Sequence, residues 1–186
     1  MNRRELLQMI ASVTGYAMIG SPVLMSACSS ASPVRGMELS DSDQALLAEI
    51  AETIFPRTTT PGAKDVGVPE MIVRLVNNTY EDLDQQEFHN GLAAIRSDTL
   101  ARYGQSFENL PAEQRAEFLN ALNQTALVYQ EPHGVTAHYF IMMKQLTIFS
   151  YFTTEQVQTG VLRMVPVPGR FDGEYPYVKG ETAWSI

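Results

Sequence analysis

From Ser40 onward the apolar positions of the chain recur at helical spacing. Leu46, Leu47, Ile50, Ala51, Ile54 and Phe55 share one face of a 3.6-residue repeat. Ser40, with Asp43 three residues on, is the N-cap candidate of this first helix, and Pro56 stops it. Residues 57–64 are rich in Thr, Pro and Gly and read as a loop. A second helix is predicted from Val68 or Pro69 to about Tyr80, with Met71, Ile72, Leu75 and Val76 as its stripe. A third runs from about Asp84 to Tyr103, burying Phe88, Leu92, Ile95, Leu100 and Tyr103, with Gly104 as its C′ residue. A fourth starts at Pro111 and carries Phe118, Leu119 and Leu122. The segment from about Gly134 to Phe152 is the most apolar: Tyr139-Phe140-Ile141-Met142-Met143 leaves it no single polar face. Such a helix is either central to the core or pressed against a partner. Thr153 or Thr154 then caps a short helix containing Glu155 and Gln156.

After Leu162 the period is lost. Residues 164–186 hold Pro166, Pro168, Gly169, Gly173, Pro176 and Gly180, interleaved with Phe171, Tyr175, Tyr177 and Trp184. They read as an extended tail lying along a surface, either of this domain or of another subunit. No strand alternation and no internal repeat stand out. The expected fold class is all-α, a small bundle of about five or six helices with an extended N-terminal tether and an irregular Pro/Gly/aromatic C-terminal tail. The layout is a signal segment at 1–27, a flexible tether at 28–39, the helical domain at 40–163 and the tail at 164–186.

The head of the chain has a different character. Arg3 and Arg4 precede a mildly apolar stretch that reaches about Ala27 and is broken by Gly15, Gly20 and Pro22. A basic start, a short apolar middle and a small-residue end make an export signal, and the two arginines followed by Leu6 and Leu7 resemble the twin-arginine type. The stretch is too polar and too broken for a comfortable membrane span. Leu24-Met25-Ser26-Ala27-Cys28 resembles a lipobox, with Cys28 as the lipidated residue; an ordinary cut near Ala27 or an uncleaved anchor are the alternatives. Residues 29–37 read as the tether.

Composition narrows the function more than it defines it. The 186 residues are 45% apolar and carry a net charge of −8, which makes binding to nucleic-acid phosphates a poor prospect. A single cysteine excludes an internal disulfide framework, a four-cysteine zinc site and an iron–sulfur cluster held by this chain alone. There is no phosphate-binding glycine loop, no HExxH, no CxxC and no GxSxG elbow. A metal site from His133, His138 and Glu131 is the one enzyme reading, although the two histidines are five apart rather than four. His89 reads as a solvated side chain. Glu81, Asp82 and Asp84 sit at a helix start, where the dipole favours negative charge.

Three blocks then carry a resemblance. Ile50-Ala51-Glu52-Thr53-Ile54-Phe55-Pro56-Arg57-Thr58, with Thr60-Pro61-Gly62-Ala63 and Gly67-Val68-Pro69, resembles the opening of the gluconate 2-dehydrogenase subunit 3 family. Phe140, Lys144-Gln145-Leu146-Thr147-Ile148 and Tyr151-Phe152-Thr153-Thr154-Glu155 resemble its second block. Val167-Pro168-Gly169-Arg170-Phe171-Asp172-Gly173, with Trp184 beyond, resembles its tail. The resemblance implies a non-catalytic small subunit with no cofactor of its own. Its implied partner is a large flavoprotein dehydrogenase of the glucose–methanol–choline type, which carries FAD and often an iron–sulfur cluster. The large subunit leaves the cytoplasm on the small subunit's signal through the twin-arginine translocase, and a cytochrome c or quinone accepts its electrons. The substrate would be gluconate, glucose, fructose, sorbitol or a 3-oxidised glycoside, and the location the periplasm, at the membrane through a lipid or through the complex. On this reading the partner contacts come from Pro56, Pro61 and Gly62 in the loop. Phe140, Met143, Phe149 and Tyr151 add to them from the apolar helix, and Pro168, Phe171, Tyr175, Tyr177 and Trp184 from the tail. A free-standing exported lipoprotein that binds a ligand under the apolar helix is the competing reading.

Overall fold

The computed structural model describes residues 39–129, 138–167, 169–176 and 178–185. The signal segment with Arg3 and Arg4, the tether up to residue 38, Cys28, Glu131, His133, Pro168 and Tyr177 lie outside the described residues, as does the expected helix start at Gly134; Leu39, expected as the last tether residue, is buried in the core. Among the described residues the chain forms six α-helices and one short 3₁₀ turn.

Helix α1 (Asp41–Ile54) begins as its sequence dictates. Ser40 Oγ accepts from the Asp43 N–H at 3.2 Å and donates to the Asp43 carboxylate at 2.6 Å. This reciprocal pair satisfies donors that a bare helix end would leave open. Helix α2 (Val68–Thr79) follows Gly67, whose φ of 72° turns the chain into it. Helix α3 (Asp82–Tyr103) ends on Gly104 at φ 68°, whose N–H closes back on Leu100 O at 2.9 Å. A 3₁₀ turn (Phe107–Asn109) leads to α4 (Ala112–Val128), with Pro111 as the flanking residue rather than the first helical one. Helix α5 (Tyr139–Thr153) and the short α6 (Glu155–Gly160) are separated by Thr154, whose backbone is extended. Thr154 Oγ1 donates backward to Tyr151 O at 2.9 Å instead of capping α6.

Helix α5 contacts every other helix. Phe140, Met142, Met143, Leu146 and Tyr151 are buried on it, against Leu46, Leu47 and Ile50 of α1, Ile72 and Val76 of α2, and Phe88, Leu92 and Ile95 of α3. Each such side chain contributes about 1.5–3 kcal/mol by leaving water. Phe107 and Leu110 are also buried, with Phe107 edge-on to Phe118 at 6.1 Å. The helical period gives no sign of these two, because they lie in a connection.

Four expectations are corrected. Leu100 is 58% exposed, since it falls on the outer face of α3 while Thr99 turns inward to donate to Ile95 O. Tyr103 is only half-buried. His89 is not fully solvated: it is half-buried, and its Nε2 is shielded without a partner. The tail contains a two-stranded parallel ladder, β1 (Arg163–Met164) with β2 (Trp184–Ser185), where no strand was expected. Two-residue strands are too short to leave a period in sequence.

Charged side chains tie the layers together. Glu49 of α1 receives Lys64 from the loop and Arg115 from α4. Burial alone would raise its carboxyl, but the hydrogen bonds and charge of these two cations outweigh it and hold it below its ordinary 4.5. Asp43 is likewise lowered below 3.8: the Ser40 and Arg96 contacts overcome its burial. His138 precedes α5, and its Nδ1 accepts from the Phe140 N–H at 3.1 Å, which requires a neutral ring. Burial lowers its pKa below 6.5, opposed in part by Glu87. Next to it, burial and the charges of Asp98 and Glu87 push the Tyr139 hydroxyl up to about 12.

Two predictions follow from this packing. Gly91, inside α3, is covered by Tyr139: an added Cβ would lie 2.6 Å from Tyr139 Cγ and 2.8 Å from its Cβ. In an open helix Gly→Ala stabilises by about 1 kcal/mol. Here Gly91→Ala should destabilise by about 1–3 kcal/mol, because an atom as near the backbone as Tyr139 Cβ cannot swing away; thermal unfolding reads the sign directly. The second concerns pH. Glu49, Asp43 and His138 each bind protons more readily in the unfolded chain, so stability falls with falling pH. The first loss is expected below 6.5, from His138, and the second below about 4.5, from Glu49 and Asp43. Glu49→Gln should remove about 1–2 kcal/mol at pH 7 and flatten the acidic limb of a plot of Tm against pH. An unchanged acidic limb would show that Glu49 does not carry it.

Candidate partner-binding surface

The loop between α1 and α2 is built around three carboxylates. Glu52 accepts the backbone N–H groups of Arg57 and Lys64, each at 3.0 Å. Gly62 sits directly on that carboxylate, where an added Cβ would lie 2.6 Å from Glu52 Oε2. Arg57 Nε donates to Asp65 Oδ2 at 2.6 Å, its Nη2 pairs with the other oxygen, and the Gly62 N–H donates to Asp65 Oδ2 at 2.8 Å. The Arg57 hydrogen bonds, followed by that of Gly62, hold the Asp65 carboxyl below its ordinary value. Glu49 supplies the third contact, through Lys64. Glu52 and Asp65 thus fix backbone, and Glu49 holds the Lys64 and Arg115 side chains.

Aromatic packing attaches this loop to α5. Phe55 stacks on Tyr151 at 4.3 Å and 3°, and Phe152 meets Phe55 edge-on at 5.6 Å. Tyr151 Oη donates to Pro61 O at 2.8 Å. The structure therefore brings Pro61, Gly62 and Tyr151 together as a base, with Pro56 exposed at the loop edge. It also places three expected partner residues inside: Phe140, Met143 and Tyr151 are buried in this domain's own core. Their apolar character answers to α5's central position. Of the four residues expected on this helix only Phe149, 54% exposed, faces out. Ile148 and Phe152 flank it on the same face.

The tail is not an extended arm. The Arg163 N–H donates to Ala183 O and the Val165 N–H to Ser185 O, each at 2.9 Å, so its two ends are joined into a loop. The Arg163 guanidinium lies 3.9 Å over the Trp184 ring and donates to Glu181 at 2.9 Å. Tyr175 packs edge-on against Trp184 at 5.4 Å. Buried Ser185 donates to Gln158 of α6, which seats the loop on the helices. Tyr175 and Trp184 are thus partly occupied in closing the loop, each remaining about half exposed. Phe171 is 97% exposed at its far side, with Val167 and Val178 also exposed. Arg163, which the sequence reading left as the last residue of the helical domain, is the node of this loop. A lone Arg before a Pro-rich stretch gives no warning of that role.

Among the described residues, no three His, Cys, Asp or Glu side chains converge as a metal centre would need. His138 already uses Nδ1 to hold the start of α5. No described helix is long and apolar enough to cross a membrane.

What this geometry offers is a fixed apolar surface in three parts: the loop edge at Pro56, the α5 face at Ile148, Phe149 and Phe152, and the tail loop with Phe171. Isolated exposed apolar residues are ordinary, but an almost bare Phe on a tied loop is not. No curated protein and no solved structure matches the chain. The family model described as gluconate 2-dehydrogenase subunit 3 matches residues 41–169. That span takes in α1 to α6, the loop and the first part of the tail. The chain belongs to the gluconate 2-dehydrogenase subunit 3 family.

Proposed function

We propose that this chain is the small, non-catalytic subunit of a FAD-dependent sugar or glycoside dehydrogenase of the glucose–methanol–choline type. Membership of the family supports an accessory subunit of a dehydrogenase complex. The observation that carries the finer reading is the tail loop, which holds Phe171 97% exposed on a closed backbone. A bare aromatic on a preformed loop loses little conformational freedom on binding and suits the centre of an interface.

In this reading the large subunit holds FAD, with an iron–sulfur cluster in some complexes, and oxidises a CH–OH group. A cytochrome c or quinone takes the electrons. The small subunit folds against the flavoprotein in the cytoplasm, and its Arg3-Arg4 signal directs the pair through the twin-arginine translocase. Cys28 then gives a lipid attachment at the periplasmic face of the membrane. The donor set supports assigning the redox chemistry to the partner: one cysteine in the whole sequence cannot hold an iron–sulfur cluster.

The test is to tag the chain, purify it gently from the envelope of its own host, and record a visible spectrum with intact masses. A flavin spectrum with a large co-purifying subunit is expected, and a mass beginning at a lipidated Cys28. A colourless monomer would overturn the accessory role. Phe171→Asp should weaken association at least about thirtyfold, the effect of a hot spot worth 2 kcal/mol, with Tm unchanged because the side chain touches little of its own domain. Ending the chain at residue 163 should weaken it further, and a truncated chain that still carries the flavoprotein at full yield would remove the tail from the interface.

A further inference from the structure

Between α1, α4 and α5 lies a cleft of about 220 Å³ that the reading above leaves without a role. Ile54, Leu119 and Phe140 give it apolar walls, while Asn120, Asn123 and Lys144 bring polar groups to it. Lys144 is half-buried, and Nζ donates to Asn123 Oδ1 at 3.0 Å. That bond uses one of three ammonium donors and fixes the Asn123 amide with its NH₂ group available to donate. Asn120 lies one turn away on the same face of α4.

The charge here differs from its surroundings. Arg57, Lys64, Arg96, Arg102, Arg115, Arg163 and Arg170 all lie within 4 Å of a carboxylate. Among the described residues Arg74, Lys144 and Lys179 have no such partner; of these three only Lys144 is half-buried, and no carboxylate lines its cleft. A half-buried cation against apolar walls, surrounded by outward-facing amide donors, favours an anion with two acceptor oxygens. The size selects the kind of anion. Small-molecule sites usually span about 300–1,000 Å³. This one is smaller and suits a single side chain. Its position selects the source. Lys144 shares a face of α5 with Ile148 one turn on, and Ile54 is followed by Phe55, which packs on Phe152. The cleft therefore adjoins the apolar α5 face on two sides.

We infer that the cleft receives an Asp or Glu side chain of the large dehydrogenase subunit, with Lys144 and Asn123 as its donors. This contact fixes the register at which the α5 face docks; it rests on the accessory-subunit reading. The apolar face supplies area without direction, and one charge pair in a walled cleft supplies the direction.

A zero-length carbodiimide, which joins an amine to a carboxylate only when the two touch, is the direct probe on the purified complex. Mass spectrometry of the digest should show Lys144 linked to an Asp or Glu of the large subunit. Lys144→Glu should weaken association at least about thirtyfold, the lower range for breaking a desolvated charge pair. Lys144→Ala should weaken it less, although both variants lose the bond to Asn123 and any fall in Tm of the isolated chain should be small and alike for the two. A wild-type complex in which Lys144 acylates as fast as in the isolated chain, or in which Lys144→Glu assembles normally, overturns this inference alone. So does protection of Lys144 in the isolated chain by acetate, which would make the occupant a free small carboxylate. A wild-type preparation without flavoprotein overturns it together with the accessory role.

Discussion

Burial of one side of α5 among the other helices is the constraint from which the rest of the architecture follows. The helix is apolar around nearly its whole circumference, so it cannot present a wet face of its own. One side meets α1, α2 and α3 in the core. The far side, at Ile148, Phe149 and Phe152, has no helix left to meet. Tyr151 stands at the edge between the two: its ring stacks on Phe55 and its hydroxyl reaches Pro61. The loop after α1 is therefore positioned by α5, and the exposed face beside it inherits that rigidity. Small irregular domains usually carry their binding residues on mobile loops; here the loop is fixed to the element that defines the core.

Part of the acidic charge of the chain is committed inside the domain. Asp43, Glu49, Glu52, Asp65 and Glu181 each accept hydrogen bonds from backbone or from a cation of the same domain. Their work is local: they close a cap, a loop and a tail. Each ion pair sets a cation against an acid of the same chain, so these contacts leave the net charge of −8 as it was.

Much of the helical fold was legible because its determinants are local and periodic. Ser40, Pro56, Pro69, Gly104 and Thr154 mark ends that the backbone alone enforces, and the stripes of α1, α2 and α3 fall every three to four residues. Leu100 misled because it falls on the outer face of α3, where Thr99 beside it takes the inward position. The surface was legible only in part. Apolar residues on α5 carry the same letters whether they face Leu47 or a partner, so Phe140 and Met143 were assigned outward when they lie inside. The tail ladder and the Arg163–Trp184 contact join residues 21 positions apart in register, and no local pattern records a pairing of two residues with two. Lys144 was invisible as a site for the same reason, since its cleft is made by three separate helices.

The closed tail has a consequence for how association would look in a calorimeter. Because β1 and β2 already join the ends of the segment, and Arg163 and Tyr175 already hold Trp184, a partner docking here would meet a loop whose closure entropy was lost during folding. Segments that order only on contact show a heat-capacity change too large for the area they cover. If a partner docks on this tail, the heat capacity of association should track covered apolar area alone, as for the docking of two finished surfaces.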